Sequence, residues 1–239
     1  MKIGQKIIRL DVVDSTNNYI ANLIKQGSID SGTVIMADEQ FAGKGQRDAQ
    51  WQSSAGDNLT FSFFLDDVNL SVSRQFNLSQ VVALSIYNFL NNLGLDATIK
   101  WPNDIYVKGR KIAGVLIENQ LKGSLIKSVI VGVGLNVNQT EFIGFSATST
   151  RLETGRSKLP HDLLFSFISA FNEQMNELSQ DKLHQKYLDK LYQFNVLAPY
   201  EDANGRFEGQ IIDVLANGKL VILKDGQEVF YDLKEITFL

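Results

Sequence analysis

The stretch Ala42-Gly43-Lys44-Gly45-Gln46-Arg47-Asp48 sets two cations among closely spaced glycines. Glycine lets a backbone turn tightly and approach a ligand, while Lys44 and Arg47 supply charge for a carboxylate or phosphate. Holding an anion is the chemistry this loop suggests. Gly-Lys-Gly is also ordinary turn chemistry, so the residues around it decide. Trp51 closes the loop, either packed on a sheet or touching a ligand. Further along, Lys100-Trp101-Pro102-Asn103-Asp104 gathers a cation, a carboxamide and a carboxylate at a turn, and Lys111 opens the run Lys111-Ile112-Ala113-Gly114-Val115-Leu116-Ile117-Glu118. A glycine inside a strand costs stability unless something lies close against it, so Gly114 is expected beneath a ligand or another segment. Asn136 and Asn138 end a third apolar run, two residues apart and thus on one face of an extended chain.

The elements that must position these groups read as mixed α/β. Lys6–Val13 has strand composition. Asp14-Ser15-Thr16-Asn17 then offers an N-cap for a helix with Tyr19, Ile20, Leu23 and Ile24 on one face and Gly27 at its end. Capping alone explains those polar residues, and a helix start with free N–H groups also suits polar ligand atoms. Thr33–Ala37 and Asn58–Leu65 read as strands. The connection between them is too long for a simple turn and is a candidate lid. Phe76 to Leu93 forms a largely buried helix ended by Gly94. Pro102 is expected to hold Trp101 extended, Lys108-Gly109-Arg110 to turn the chain into a hairpin, and Ile112, Gly114, Leu116 and Glu118 to share one strand face. Leu163 to Met175 and Leu183 to Leu191 carry helical packing stripes. Short strands follow, split by Asn217-Gly218 and Asp225-Gly226.

With 239 residues, 44% hydrophobic, the chain can bury one large core or one large and one small. No apolar run is long enough to span a bilayer and no secretory signal is evident, so a cytoplasmic location is expected, away from membranes. Zero cysteines exclude disulfides and thiolate chemistry. His161 and His184 lack metal-site spacing, and no metal ligand is assigned. A net charge of -4 gives no basic field for nucleic acid. Gly132-Val133-Gly134 lacks the third glycine of a dinucleotide fingerprint, and no Walker loop is present.

These blocks, in this order and spacing, resemble biotin protein ligase: Asp14-Ser15-Thr16-Asn17, Gln40, Gly43 to Arg47, Trp51, Lys100 to Asp104, Lys111 to Glu118, and Gly132 to Asn138. The resemblance implies an α+β fold with a class II synthetase-like mixed β-sheet and helices over residues 1–190, followed by a small SH3-like β-barrel over 195–239. It implies that biotin and ATP with Mg2+ give biotinyl-5'-AMP and pyrophosphate, and that biotin then passes to a lysine of a biotin carboxyl carrier domain of a carboxylase. It assigns biotin to Ser15, Thr16, Asn17, Gln40, Lys44, Gly45, Gln46, Lys111 and Gly114. Nucleotide contacts fall to Arg47, Trp51, Asn103, Lys111 and Asn136. Lys111, Lys44 and Arg47 are the expected catalytic cations, because a carboxylate must be held against repelling phosphates. Asp104 either orients or deprotonates the acceptor lysine, or is a turn carboxylate.

Arginine often stands in the family at the positions of Lys44 and Gln46, and glycine at that of Asp48, so this cradle is less positive. The DNA-binding domain and repressor role of some relatives are expected to be absent, and a homodimer is an open possibility. The C-terminal β unit is expected to clamp ATP or the carrier. A lipoate ligase-like acyl transferase and a non-catalytic biotin-binding module are the alternatives.

Overall fold

In the computed structural model, which describes residues 1–46, 49–144 and 146–239, the chain up to Leu135 builds one mixed sheet. Strand β1 (Lys6–Val13) runs parallel to β2 (Thr33–Gln40), and helix α1 (Thr16–Lys25) crosses between them. Every later pairing is antiparallel: β3 (Leu59–Leu65), the two-residue β4 (Leu70–Ser71), then, after helix α2 (Phe76–Asn92), β5 (Ala97–Lys100), β6 (Asp104–Val107), β7 (Arg110–Lys122) and β8 (Leu125–Leu135). The spatial order is β1-β2-β3-β8-β7-β6-β5, with β4 on β8. Helix α1 ends as its glycine suggests: Gly27 adopts φ +64° and the Ser28 N–H returns to the Leu23 carbonyl.

Alternation along β3 sorts the two faces of the sheet. Phe61, Phe63 and Leu65 point into the main core, against helix α4 (Pro160–Gln174), which follows the short α3 (Thr150–Thr154). Phe61 meets Phe167 edge-on at 4.9 Å, and Phe63 meets Phe171 at 4.7 Å. Truncating Phe167, which is 2% exposed, to alanine would cost about 3–5 kcal/mol through lost burial and the cavity left behind. On the opposite face Phe64 joins Ile20, Ile35 and Ile130 in a small second core under α1. The remaining residues on that face, Thr60 and Ser62, are buried and polar.

Helix α5 (Lys182–Leu188) leads to a second, antiparallel sheet of β9 (Leu197–Asp202), β10 (Gly205–Val214), β11 (Leu220–Lys224), β12 (Gln227–Tyr231) and β13 (Thr237–Phe238), in the order β12-β11-β10-β9-β13. Asp225 and Gly226 both have positive φ, which makes the tight turn between β11 and β12. This is the large mixed sheet and small β unit expected for the fold. The two sheets share one apolar core: Tyr200, Ile211 and Val214 pack in the same cluster as Phe76 and Tyr187. Trp101 pins the contact, its Nε1–H donating to the Gly218 carbonyl at 2.8 Å. The Trp101–Pro102 peptide is cis.

One strand face differs from the alternation read in the sequence. A β-bulge between Ile105 and Tyr106 of β6 sets Ile105 opposite Ala113 but Tyr106 opposite Lys111, leaving Ile112 over. Ile112 therefore turns into the main core, and does not share a face with Gly114.

Candidate functional site

The cross-strand row Ala37, Thr60, Gly134, Gly114, Asp104 and the adjoining row Ile35, Ser62, Gly132, Leu116 form a floor across five and four strands, respectively. Glycines stand at the centre of both rows. A Cβ on Gly132 would collide with the Asn17 carboxamide oxygen, and one on Gly134 with the Trp51 indole. The Trp51 ring and the Lys111 side chain both lie 3.3 Å from the Cβ position of Gly114. The close approach expected at Gly114 is thus made by other segments of the chain.

Over this floor lies a cavity of about 400 Å3. Of the residues singled out in the sequence, Ser15, Thr16, Asn17, Gln40, Lys44, Gly45, Gln46, Trp51, Asn103, Asp104, Lys111 and Gly114 all line it. Arg47 and Asp48 lie outside the described residues. Asn136 does not line the cavity. The strand ends at Leu135, so the alternation that would put Asn136 and Asn138 on one face stops there. The Asn136 Nδ2–H2 donates to the Thr148 carbonyl at 3.0 Å, and its Oδ1 is buried without a partner. Asn138 instead exchanges hydrogen bonds with the backbone of Lys158.

One end of the cavity is a closed polar chain. Gln40 Oε1 accepts from the Thr16 backbone N–H at 2.7 Å and from the Thr16 hydroxyl at 3.0 Å. The side chain of β2 thereby satisfies a free N–H at the start of α1, where Ser15 makes no side-chain cap. Thr16 Oγ1 lies 2.6 Å from Ser62 Oγ, the Ser62 hydroxyl donates to Asn17 Oδ1 at 2.6 Å, and Asn17 Nδ2 donates to Glu118 Oε2 at 2.6 Å. Thr16, Asn17 and Ser62 are each 3% exposed or less. Such an array presents fixed donors and acceptors to a planar amide or urea. Ser62 carries no motif signal in the sequence, because it sits in the largely apolar run Leu59-Thr60-Phe61-Ser62-Phe63-Phe64-Leu65. Strict alternation was the available signal.

Cations follow this chain, each beside an acid, and Glu118 is shared between the chain and the cations. Lys111 Nζ is 2.6 Å from Asp104 Oδ1, and Lys44 Nζ is 3.8 Å from Glu118 Oε1. The described flanks of the loop pair with each other: Lys44 bridges Gln50, and the Trp51 N–H donates to the Gly43 carbonyl. Neither Gly43 nor Gly45 has positive φ. Glycine is needed there because a Cβ would press on the carbonyls of Trp51 and Ala49 in the facing leg.

Lys100, the cation that opens the Lys100 to Asp104 turn, also reaches the cavity. Its Nζ donates to the Tyr106 hydroxyl at 3.1 Å and lies 4.8 Å from the centres of the Tyr106 and Phe238 rings. Burial pushes its ammonium below the ordinary lysine value, against the opposing charge of Asp104. Phe238 arrives from the second sheet with Leu233, Lys234, Ile236 and Thr237, so the C-terminal unit completes the cavity wall.

A profile of the biotin/lipoate A/B protein ligase family matches residues 10–136, more than half of the chain and every block that carries the cavity floor. The chain belongs to the biotin/lipoate A/B protein ligase family. Among relatives in this family, it is 34% identical over 168 residues to the biotin--[acetyl-CoA-carboxylase] ligase of Paracoccus denitrificans, covering 66% of this chain and 68% of that one. It is 36% identical over 138 residues to the bifunctional ligase/repressor BirA of Bacillus subtilis, covering 57% of this chain but only 42% of BirA. The biotin protein ligase of Aquifex aeolicus, solved in complex with biotin and ATP, superposes with a TM-score of 0.79 at 26% identity, with 98% of each chain covered.

Proposed function

We propose that this protein is an ATP-dependent biotin ligase that makes biotinyl-5'-AMP and passes biotin to a lysine of a biotin carboxyl carrier domain. The observation that carries this reading is one cavity with a buried amide-recognising chain at one end, Lys111 at the other, and Lys44 beside the Glu118 that ends the chain. A ureido ring and a carboxylate, joined by an apolar tail, fit those two ends. A biotin- and ATP-bound relative with nearly complete coverage supports the choice of ligands.

In the first step a biotin carboxylate oxygen attacks the α-phosphorus of ATP, and pyrophosphate leaves with the electron pair of the broken P–O bond. The ureido group takes the place facing Thr16, Asn17, Ser62 and Gln40. Lys111, with Lys44 and Arg47, offsets the repulsion between carboxylate and phosphates and the charge that builds on the phosphorus oxygens. Trp51 and Asn103 flank the nucleotide. Asn136, buried just outside the cavity with its Nδ2–H2 on the Thr148 carbonyl, supports the nucleotide side from behind the wall and does not touch the base. In the second step the acceptor lysine attacks the mixed anhydride carbonyl and AMP departs. Asp104 orients that amine or takes its proton once Lys111 has turned to the phosphate.

Mg2+ would arrive with the triphosphate. Among the described residues, Asp104 is the one carboxylate lining the cavity and no cluster of three His, Cys, Asp or Glu exists, a donor set that suits a magnesium held mainly by phosphates and water. We assign catalysis to residues 1–190 and closure of the cavity over ATP or the carrier to residues 195–239, and we place the reaction in the cytoplasm. No helix of the described residues is long and apolar enough to cross a membrane.

Pyrophosphate exchange into ATP tests the reading. It should require biotin and not respond to lipoate, and a carrier domain should gain biotin in the presence of ATP. Exchange driven by lipoate would move the protein to the lipoate branch of its family. Biotin binding without exchange would make it a non-catalytic binding module.

A further inference from the structure

Outside the cavity, Glu153 of α3 is a carboxylate whose side chain is 2% exposed yet carries three polar partners. Its Oε1 accepts from Arg110 Nη2 and from the Thr148 hydroxyl, both at 2.6 Å, and Lys108 Nζ stands 3.0 Å from Oε2. Burial works against its ionised form, but the Thr148 hydroxyl and the Lys108 and Arg110 cations outweigh that cost and hold the carboxyl below its ordinary range. A buried charge with this many partners is costly to disrupt.

What the cluster grips is the segment that flanks Lys111. The Lys111 N–H donates to the Ser146 carbonyl at 3.2 Å, the Thr148 N–H donates to the Lys111 carbonyl at 2.8 Å, and Ala147 bridges Lys111 in parallel. The same Thr148 offers its carbonyl to the Asn136 carboxamide. Lys111 sits where the β-bulge interrupts pairing with β6, so this outer segment supplies the regular backbone contacts on its far side. Through Thr148, Glu153 is tied to both Lys111 and Asn136.

We infer that Glu153 is a positioning residue for the adenylation step, fixing Lys111 and Asn136 through Thr148 without itself reaching the reactants. The inference rests on the ligase reading and on Lys111 as its reaction cation. Misplacing a reacting group by about 1 Å can cost on the order of 100-fold in rate. A residue that acts through Lys111 should therefore change the chemical step and spare the ureido end, whose chain Gln40, Thr16, Ser62, Asn17 has no contact with it.

The experiment is single-turnover formation of biotinyl-AMP at saturating ATP, with biotin Kd measured beside it, in Glu153→Ala, Glu153→Gln and Thr148→Val. Glu153→Ala should slow adenylation by about 10- to 100-fold with biotin Kd changed by less than about threefold. Glu153→Gln, which keeps the shape and an acceptor for Thr148, should recover part of the rate. Thr148→Val, which cuts the link at one hydroxyl, reads the same connection if Glu153→Ala does not fold, and should slow adenylation with the same split. An unchanged adenylation rate in these variants, or loss of biotin affinity in step with the rate, would overturn the positioning role. Lys111→Ala in the same assay separates the two levels. A normal rate there would sink the reading of Lys111 itself, whereas a strong Lys111 dependence with normal Glu153 variants would sink only the positioning role.

Discussion

The two ends of the cavity are built differently. At the ureido end, Thr16, Asn17 and Ser62 are buried, joined by hydrogen bonds of 2.6 to 3.0 Å, and carried on a helix start and two sheet strands. At the anion end, Lys111 and Asp104 keep side-chain exposures of 30% and 22%, while Lys44, carried on the glycine loop, and Glu118, which the two regions share, keep 42% each. The first end exists before any ligand arrives, since its polar atoms satisfy one another. The second end stores its positive charge against Asp104 and Glu118 and, on the proposed reading, exchanges those partners for a carboxylate and phosphates. Affinity for biotin should therefore depend on the buried end, and the chemical step on the exposed one.

Substitutions can break this division at graded strength. Asn17→Ala removes the donor to Glu118 and the acceptor for Ser62, leaving a carboxylate with one charged neighbour at 3.8 Å. Loss of a hydrogen bond to a charged group costs about 1.5–3 kcal/mol, so biotin Kd should weaken by roughly 10- to 100-fold, read by calorimetry, with adenylation at saturating biotin nearly normal. Ser62→Ala cuts a neutral link in the same chain. It should cost about 0.5–1.5 kcal/mol, measurable as a severalfold weaker Kd and a lower denaturant midpoint. Glu118→Gln keeps an acceptor for Asn17 and releases Lys44 from an exposed pair worth about 0–1 kcal/mol. Its effect on Kd should stay within about threefold, and dissociation of biotinyl-AMP should slow slightly because Lys44 no longer has a resident acid. A larger effect of Glu118→Gln than of Asn17→Ala would reverse the comparison.

The same contrast marks what could be read in the sequence. Strand β1, helix α2 and the Gly27 and Gly94 stops were legible because periodicity and capping are local. The cavity lining from Ser15 to Gly114 was legible as motifs, since most motif residues stand in a turn or at an element end and Gly114 is a glycine within a strand. Ser62, Glu118 and Glu153 carry no role that the sequence shows, because each works through partners 43 to 101 residues away or through a segment folded back on it. For Glu153 the shortest link, five residues to Thr148, has meaning only once Thr148 is beside Lys111. The bulge that sends Ile112 to the core left no mark in the pattern of residues, and the strand end at Leu135 redirected Asn136. Nothing local announces that Phe238 and its neighbours would wall a cavity floored by strands β7 and β8.

The most direct test is Lys111→Ala, followed in two separate reactions: single-turnover formation of biotinyl-AMP from biotin and ATP, and transfer from pre-made biotinyl-AMP to a carrier domain. Adenylation should fall by about 100- to 1,000-fold, the scale of losing one preorganised charge contact, while biotin Kd and the transfer step change far less. Lys111→Arg should also be impaired, because a planar guanidinium cannot replace an ammonium between a carboxylate and a phosphate within this geometry. Adenylation at the unsubstituted rate in Lys111→Ala would mean that its 2.6 Å pair with Asp104 is an ordinary structural ion pair, and would contradict the division of labour between the two ends.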